Sequence, residues 1–134
     1  MTTTTKVYRS KTPKYRAMYA GMKELGYEFL IDATGVRRRL EALQCLGWSL
    51  TEVGERIGKN QQNMSKLATG HQRVYRETYA KVCAVYDELS MTPNTTRYSE
   101  RTRPLARSRG HVPPLAWDSV DIDDVNATPK GVRR

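Results

Sequence analysis

The stretch LTEVGERIGKNQQNMSKLAT, residues 50–69, decides how this chain is read. Just before it, Ser49 stands three residues from Glu52 in the S-x-x-E spacing of a capping box. In that device the serine oxygen accepts from the third helical N–H, and the glutamate reaches back to the serine N–H. The spacing predicts a helix over 50–57 with Val53 and Ile57 facing inward, broken by Gly58-Lys59-Asn60. A second short helix follows over 61–68, with Met64 and Leu67 inward and Gly70 as its stop. Two short helices cross steeply only where their backbones approach closely and the connection turns sharply. Gly54 supplies the approach, and Gly58 a position tolerant of positive φ. Val53, Gly54, Ile57, Gly58, Met64 and Leu67 thus read as the structural positions of a helix-turn-helix.

The outward residues carry the chemistry. Gln61, Gln62 and Asn63 open the second helix, with Ser65 and Lys66 a turn later. Amide side chains can bond bidentately to adenine N6 and N7, and lysine can donate to guanine O6 and N7. Groups of this kind at the start of a recognition helix match the way the motif docks in the major groove. The same five residues would also suit an ordinary polar surface, but the inward spacing behind them favours base reading.

Working outward, residues 1–11 are polar, basic and aperiodic, which predicts a disordered arm. Thr12-Pro13 fits a helix start. Tyr15, Met18, Tyr19, Met22 and Leu25 fall on one helical face, with Gly26 placed to stop it. Residues 27–33 read as an extended connector with Phe29 and Ile31 on one side. This makes 12–33 an N-terminal helix and connector. A helix from Thr34-Gly35 carries Val36, Leu40, Leu43 and Leu46, and Gly47 ends it. Arg37, Arg38 and Arg39 crowd its first turn, where three cations oppose the helix dipole. An anionic partner would relieve that misfit; a solvated basic turn is the other reading. After 61–68, residues 71–74 read as a basic turn. Residues 76–89 form a helix burying Tyr79, Val82, Cys83, Tyr86 and Leu89, and Thr92-Pro93-Asn94 closes a domain spanning 34–92.

Residues 93–134 form a C-terminal extension. Within it, 97–109 suggest a further helix that Pro104 must kink or start, closed by Gly110. HVPPLAW (111–117) reads as a proline-stiffened extended strap, with Trp117 either a packing anchor or a partner-facing residue. Beyond Asp118 the chain turns acidic, then basic, and is expected to be mobile. Asp121, Asp123 and Asp124 suit a solvated acidic tail better than a cation site. No internal repeat is visible.

The composition fits a polyanion binder. The formal net charge is +9, the pI is near 9.8, and hydrophobic residues make up 38%, enough for one modest core. Charge alone leaves simple solubility open. No apolar run approaches the roughly 20 residues of a spanning helix, and the first residues lack the apolar centre of a secretion signal. Cys45 and Cys83 are isolated and read as buried free thiols. With His71 and His111 they are the only Cys and His residues and form no ligand pair, so no metal site is expected. No cofactor cradle and no catalytic arrangement stands out, so the chain does not read as an enzyme.

The stretch 50–70 resembles the helix-turn-helix of lambdoid phage repressors, sharing their G-x-x-Q-Q pattern at Gly58, Gln61 and Gln62. More widely, IDATGVRRRLEAL, the LGW of 46–48, AVYDEL (84–89) and HVPPLAWDSVDIDD resemble a group of helix-turn-helix proteins from actinobacteria and their phages. That likeness covers 31–125, about two thirds of the chain. In that group a first helix-turn-helix often precedes the IDATG-like segment; here one short helix stands in its place. The resemblance implies an all-α bundle whose residues at Gln61, Gln62 and Lys66 touch base edges. Lys66 departs from the glutamine familiar there. Ser49, Thr69, Arg73 and Arg76 match positions that hold the DNA backbone. Arg37, Arg38, Arg39 and the arginines of 97–109 are further phosphate candidates on charge alone. The arm cations Lys6, Arg9, Lys11 and Lys14 suit either a minor groove or a free tail.

Together these features lead us to expect a sequence-specific transcriptional regulator of the phage or prophage repressor type. It would act on double-stranded DNA in a bacterial cytoplasm, at the nucleoid or in a phage-infected host. Such regulators often bind as two-fold dimers, and a homodimer here would use the 79–89 helix or the strap. The alternatives are a protein-interaction module, such as an antirepressor or host-factor binder working through 111–125, and an architectural, excision-directing DNA binder.

Overall fold

The computed structural model describes residues 30–70 and 73–130. They form β1 (Leu30–Asp32), α1 (Thr34–Cys45), α2 (Leu50–Ile57), α3 (Gln61–Thr69), β2 (Arg73–Tyr75), α4 (Arg76–Leu89), α5 (Ser99–Ser108) and a 3-10 helix over Pro114–Trp117. The basic arm, the helix expected from Pro13 to Gly26, Phe29, His71 and the final arginines lie outside the described residues.

The described chain is mostly helical, as expected, with one addition. β1 and β2 pair antiparallel, Leu30 with Tyr75, Ile31 with Val74 and Asp32 with Arg73. The segment read as a basic turn therefore ends in a strand. The partners lie about forty positions apart, so no local pattern announces the pairing, which places β-branched Ile31 opposite β-branched Val74.

α1 begins without a side-chain cap at Ala33. Asp32 takes that role from one residue earlier, its carboxylate accepting from the Thr34 N–H at 2.7 Å. The helix ends where Gly47, at φ +96°, turns the chain. Val36, Leu40 and Leu43 of α1 meet Val53 and Ile57 of α2, Met64 and Leu67 of α3, and Val82, Val85 and Leu89 of α4 in one core. Each such side chain contributes about 1.5–3 kcal/mol by leaving water. Trp48 closes the core near the α1–α2 corner, its indole N–H donating to the Thr92 carbonyl at 2.8 Å.

α5 runs through Pro104 rather than starting at it. It packs along α1 with Ser99 and Ala106 inward. Residues 111–117 are not simply an extended strap, because Pro114–Trp117 close into a 3-10 turn. Trp117, only 8% exposed, packs with Ala42 and Ile122 in a second small core, with the Arg38 guanidinium 4.6 Å from its ring centre. Trp117 is thus a packing anchor.

The segment after Asp118, expected to be mobile, lies on α1 and α4. Arg38 donates through one nitrogen to the carbonyls of Ile122 (3.1 Å) and Asp124 (2.8 Å), and through the other to Ala127 (3.2 Å). The Lys130 N–H donates to Ala116 O at 2.8 Å. Among the described residues, no helix is long and apolar enough to cross a membrane.

Candidate nucleic-acid interface

The α2–turn–α3 unit has the local geometry that its sequence demands. Ser49 Oγ accepts from the Glu52 N–H at 3.1 Å, and the Ser49 N–H donates to Glu52 Oε1 at 3.0 Å. Gly58 caps α2 at φ +81°, in the left-handed region where a Cβ is disfavoured. A Cβ on Gly54 would stand 2.5 Å from the Lys59 carbonyl oxygen and 2.7 Å from Met64 Cγ. Only glycine leaves that space free, so α3 sits close against α2. The start of α3 has a cap that sequence reading did not single out: Asn60 Oδ1 accepts from the Asn63 N–H at 2.9 Å. Its signal is an N-cap residue three positions before Asn63.

With Met64, Leu67 and Ala68 buried, the opposite side of α3 faces solvent. Gln61, Gln62, Asn63, Lys66 and Thr69 are exposed, and Ser65 is half-buried. Gln62, Lys66 and Thr69 are spaced by four and three residues, so they share one face, with Ser65 beside them and Gln61 and Asn63 flanking. No acidic residue lies in the first turn of α3. The face therefore offers amide and ammonium donors on a helix rigidly backed by the core.

The phosphate candidates divide. Arg76 is exposed at the start of α4. Thr69 is exposed, its hydroxyl donating to Ser65 O at 2.8 Å. Arg73 is half-buried opposite Asp32 in the ladder. Burial works against charge on Asp32, yet hydrogen bonds from Thr34 and the nearby cations Arg73 and Arg37 hold its carboxyl below the usual value. Ser49 has its hydroxyl engaged in the capping box, and Arg37 is half-buried on α1.

Arg38 and Arg39 differ from these, because both guanidiniums are engaged inside the domain. Arg39 makes a bidentate pair with Asp123 at 2.7 and 3.0 Å, and Tyr79 donates to the same carboxylate at 2.9 Å. The Arg39 hydrogen bond, chiefly, and the Tyr79 hydroxyl hold the Asp123 carboxyl below its usual range against partial burial. Gly35 makes this possible, since a Cβ there would fall on the Asp123 carboxylate. The anionic partner that relieves the crowded first turn of α1 is intramolecular. Asp123 is likewise no part of a free acidic tail.

Sequence reading also missed Asn94. It is 1% exposed, and its amide donates to Gly47 O at 2.8 Å and Glu52 Oε1 at 2.9 Å. Thr96 Oγ1 donates to Glu52 Oε2 at 2.7 Å. Burial opposes ionisation of Glu52, but hydrogen bonds from the Ser49 N–H and then from Thr96, Ser49 and Asn94 outweigh it and lower its pKa.

Cys45 and Cys83 are free and half-buried. Burial, with Glu41 nearby, pushes the Cys45 thiol up to about 11, which keeps it protonated and unreactive at neutral pH. Comparison with protein-family models, with curated proteins and with solved structures found no match to this chain.

Proposed function

We propose that this protein binds double-stranded DNA sequence-specifically as a transcriptional regulator of the repressor type, with α3 in the major groove. The observation that carries the reading is the face formed by Gln62, Lys66 and Thr69, flanked by Gln61 and Asn63, on a short helix whose other face is fixed in the core. Gln62 and Lys66 are one helical turn apart, about 5–6 Å along the axis, which is within reach of neighbouring base pairs. The net charge of +9 supplies the non-specific attraction that brings the groove within reach. Arg76 and Thr69 serve as backbone contacts that set register. The reading extends to a phage or prophage setting on the likeness of its helix-turn-helix to lambdoid repressors.

A reading as a protein-interaction module drew on the acidic block and Trp117; Trp117 is buried, and Asp123 of that block is paired with Arg39. The DNA reading is tested by affinity measurements from 50 to 200 mM salt on a pool-selected duplex and on random duplex of equal length. Tighter binding to the selected duplex at every salt concentration supports it. Equal affinity for both overturns sequence-specific regulation.

A further inference from the structure

The C-terminal extension brings a second basic surface to the start of α2. Asn94 and Thr96 tie the entry to α5 onto Gly47 and Glu52, as described above. Arg103 reinforces the joint, one of its terminal nitrogens donating to Leu46 O at 3.1 Å and Asn94 O at 2.7 Å. Ser99 seats close to Gly47, whose missing Cβ would stand 2.7 Å from the serine Cβ. The first turn of α5 is therefore fixed against the α1–α2 corner.

Arg97, just before α5, and Arg101, in its first turn, are both exposed. Arg97 lies over the Tyr98 ring at 5.6 Å. Neither guanidinium is in an ion pair with a carboxylate among the described residues, unlike Arg39. Glu52 at the joint has its oxygens bonded to Ser49, Asn94 and Thr96, and Glu100, exposed in the first turn of α5, makes no ion pair with either arginine among the described residues. In a docked helix-turn-helix the first helix crosses the DNA backbone while the second enters the groove. A pair of unpaired arginines clamped beside the start of that first helix then faces the same backbone.

We propose that Arg97 and Arg101 contact backbone phosphates flanking the site read by α3, so that α5 widens the DNA footprint without reading bases. This rests on the DNA-binding reading given above. Arg103 is excluded from the contact because it holds the joint.

The test uses the full chain, its Arg97→Ala/Arg101→Ala variant, and an Arg107→Ala/Arg109→Ala variant that removes the same charge from the far end of α5. Affinity is measured from 50 to 200 mM salt on the pool-selected duplex and on random duplex. Each phosphate contact contributes about 0.9 to the slope of log affinity against log salt. The first variant should lose about 1.8 from the slope and depend roughly tenfold less on salt across the range. Its preference for the selected duplex should be unchanged, and the second variant should keep the parental slope. If the parent discriminates between duplexes but the first variant keeps its slope, the α5 contact is wrong and the α3 reading stands. Equal slope losses in both variants also overturn it, because charge and not position is then responsible. A parent that fails to bind duplex DNA at 50 mM salt overturns both proposals.

Discussion

Replacing Asn94 by alanine should cost far more stability than its place in a Thr-Pro-Asn turn suggests. The side chain is buried at the joint of α1, α2 and the entry to α5, where its amide donates to Gly47 O and Glu52 Oε1. Its Oδ1 accepts from the Thr96 N–H at 3.1 Å. The two bonds to neutral partners are worth about 1 kcal/mol each, and the one to a carboxylate about 1.5 kcal/mol. Water can reach Thr96 and part of Glu52 once the amide is gone, which lowers the total to about 2–3 kcal/mol. Urea unfolding followed by circular dichroism should show that loss with an unchanged m-value, and heating should show a fall in Tm on the order of 10–15 °C. Thr96→Val is the internal comparison. It removes one exposed hydroxyl, which donates to Glu52 and accepts from the Asn94 amide at 2.9 Å, leaves that amide its bonds to Gly47 and Glu52, and should cost about 1 kcal/mol or less. An Asn94→Ala loss no larger than that of Thr96→Val would refute the claim that this amide holds the joint.

Other consequences follow from the same contacts. Gly54→Val should destabilise by about 1–3 kcal/mol or more, because even a Cβ there meets a backbone carbonyl; Gly70→Ala, with nothing closer than 3.4 Å, should be nearly neutral in the same urea titration. Gly58→Ala should cost about 1–2 kcal/mol through its left-handed backbone. Glu52 and Asp123 both have pKa values lowered by folding. Their contribution is therefore present above the unfolded carboxylate values near pH 4 and lost as pH falls through the lower folded values, and Glu52→Gln should flatten stability against pH below about 4. Gly35→Ala should displace Asp123, seen as a rise of its carboxyl pKa by NMR and faster proteolysis after Trp117, while the main core stays folded.

What was legible in the sequence was local. The capping box joins residues three apart, Gly54 and Gly58 act on their immediate neighbours, and Val53, Ile57, Met64 and Leu67 repeat at helical spacing. These gave α2, α3 and the exposed face of α3. The failures share one cause, since each depends on a partner far along the chain. Arg38 and Arg39 look the same in sequence whether they face a phosphate or the segment that ends at Ala127, and Arg39 finds Asp123 across 84 positions. The acidic block looked like a tail for the same reason. Ile31 and Val74 pair across a gap that three-residue strands cannot signal, and Asn94 resembled punctuation until its acceptors on Gly47 and Glu52 were in place. Pro104 left open whether it kinks or starts the 97–109 helix, and the structure excludes only the start, because the helix contains it and packs on α1.

The claim that matters most is that α3 reads bases. Its most direct test is selection from a random duplex pool with the full chain, run in parallel with a Lys66→Gln variant. The account predicts one enriched motif for the parent and a variant motif that differs at the base pair facing position 66, with the remainder unchanged. No enrichment by the parent, or identical motifs from both proteins, would contradict it.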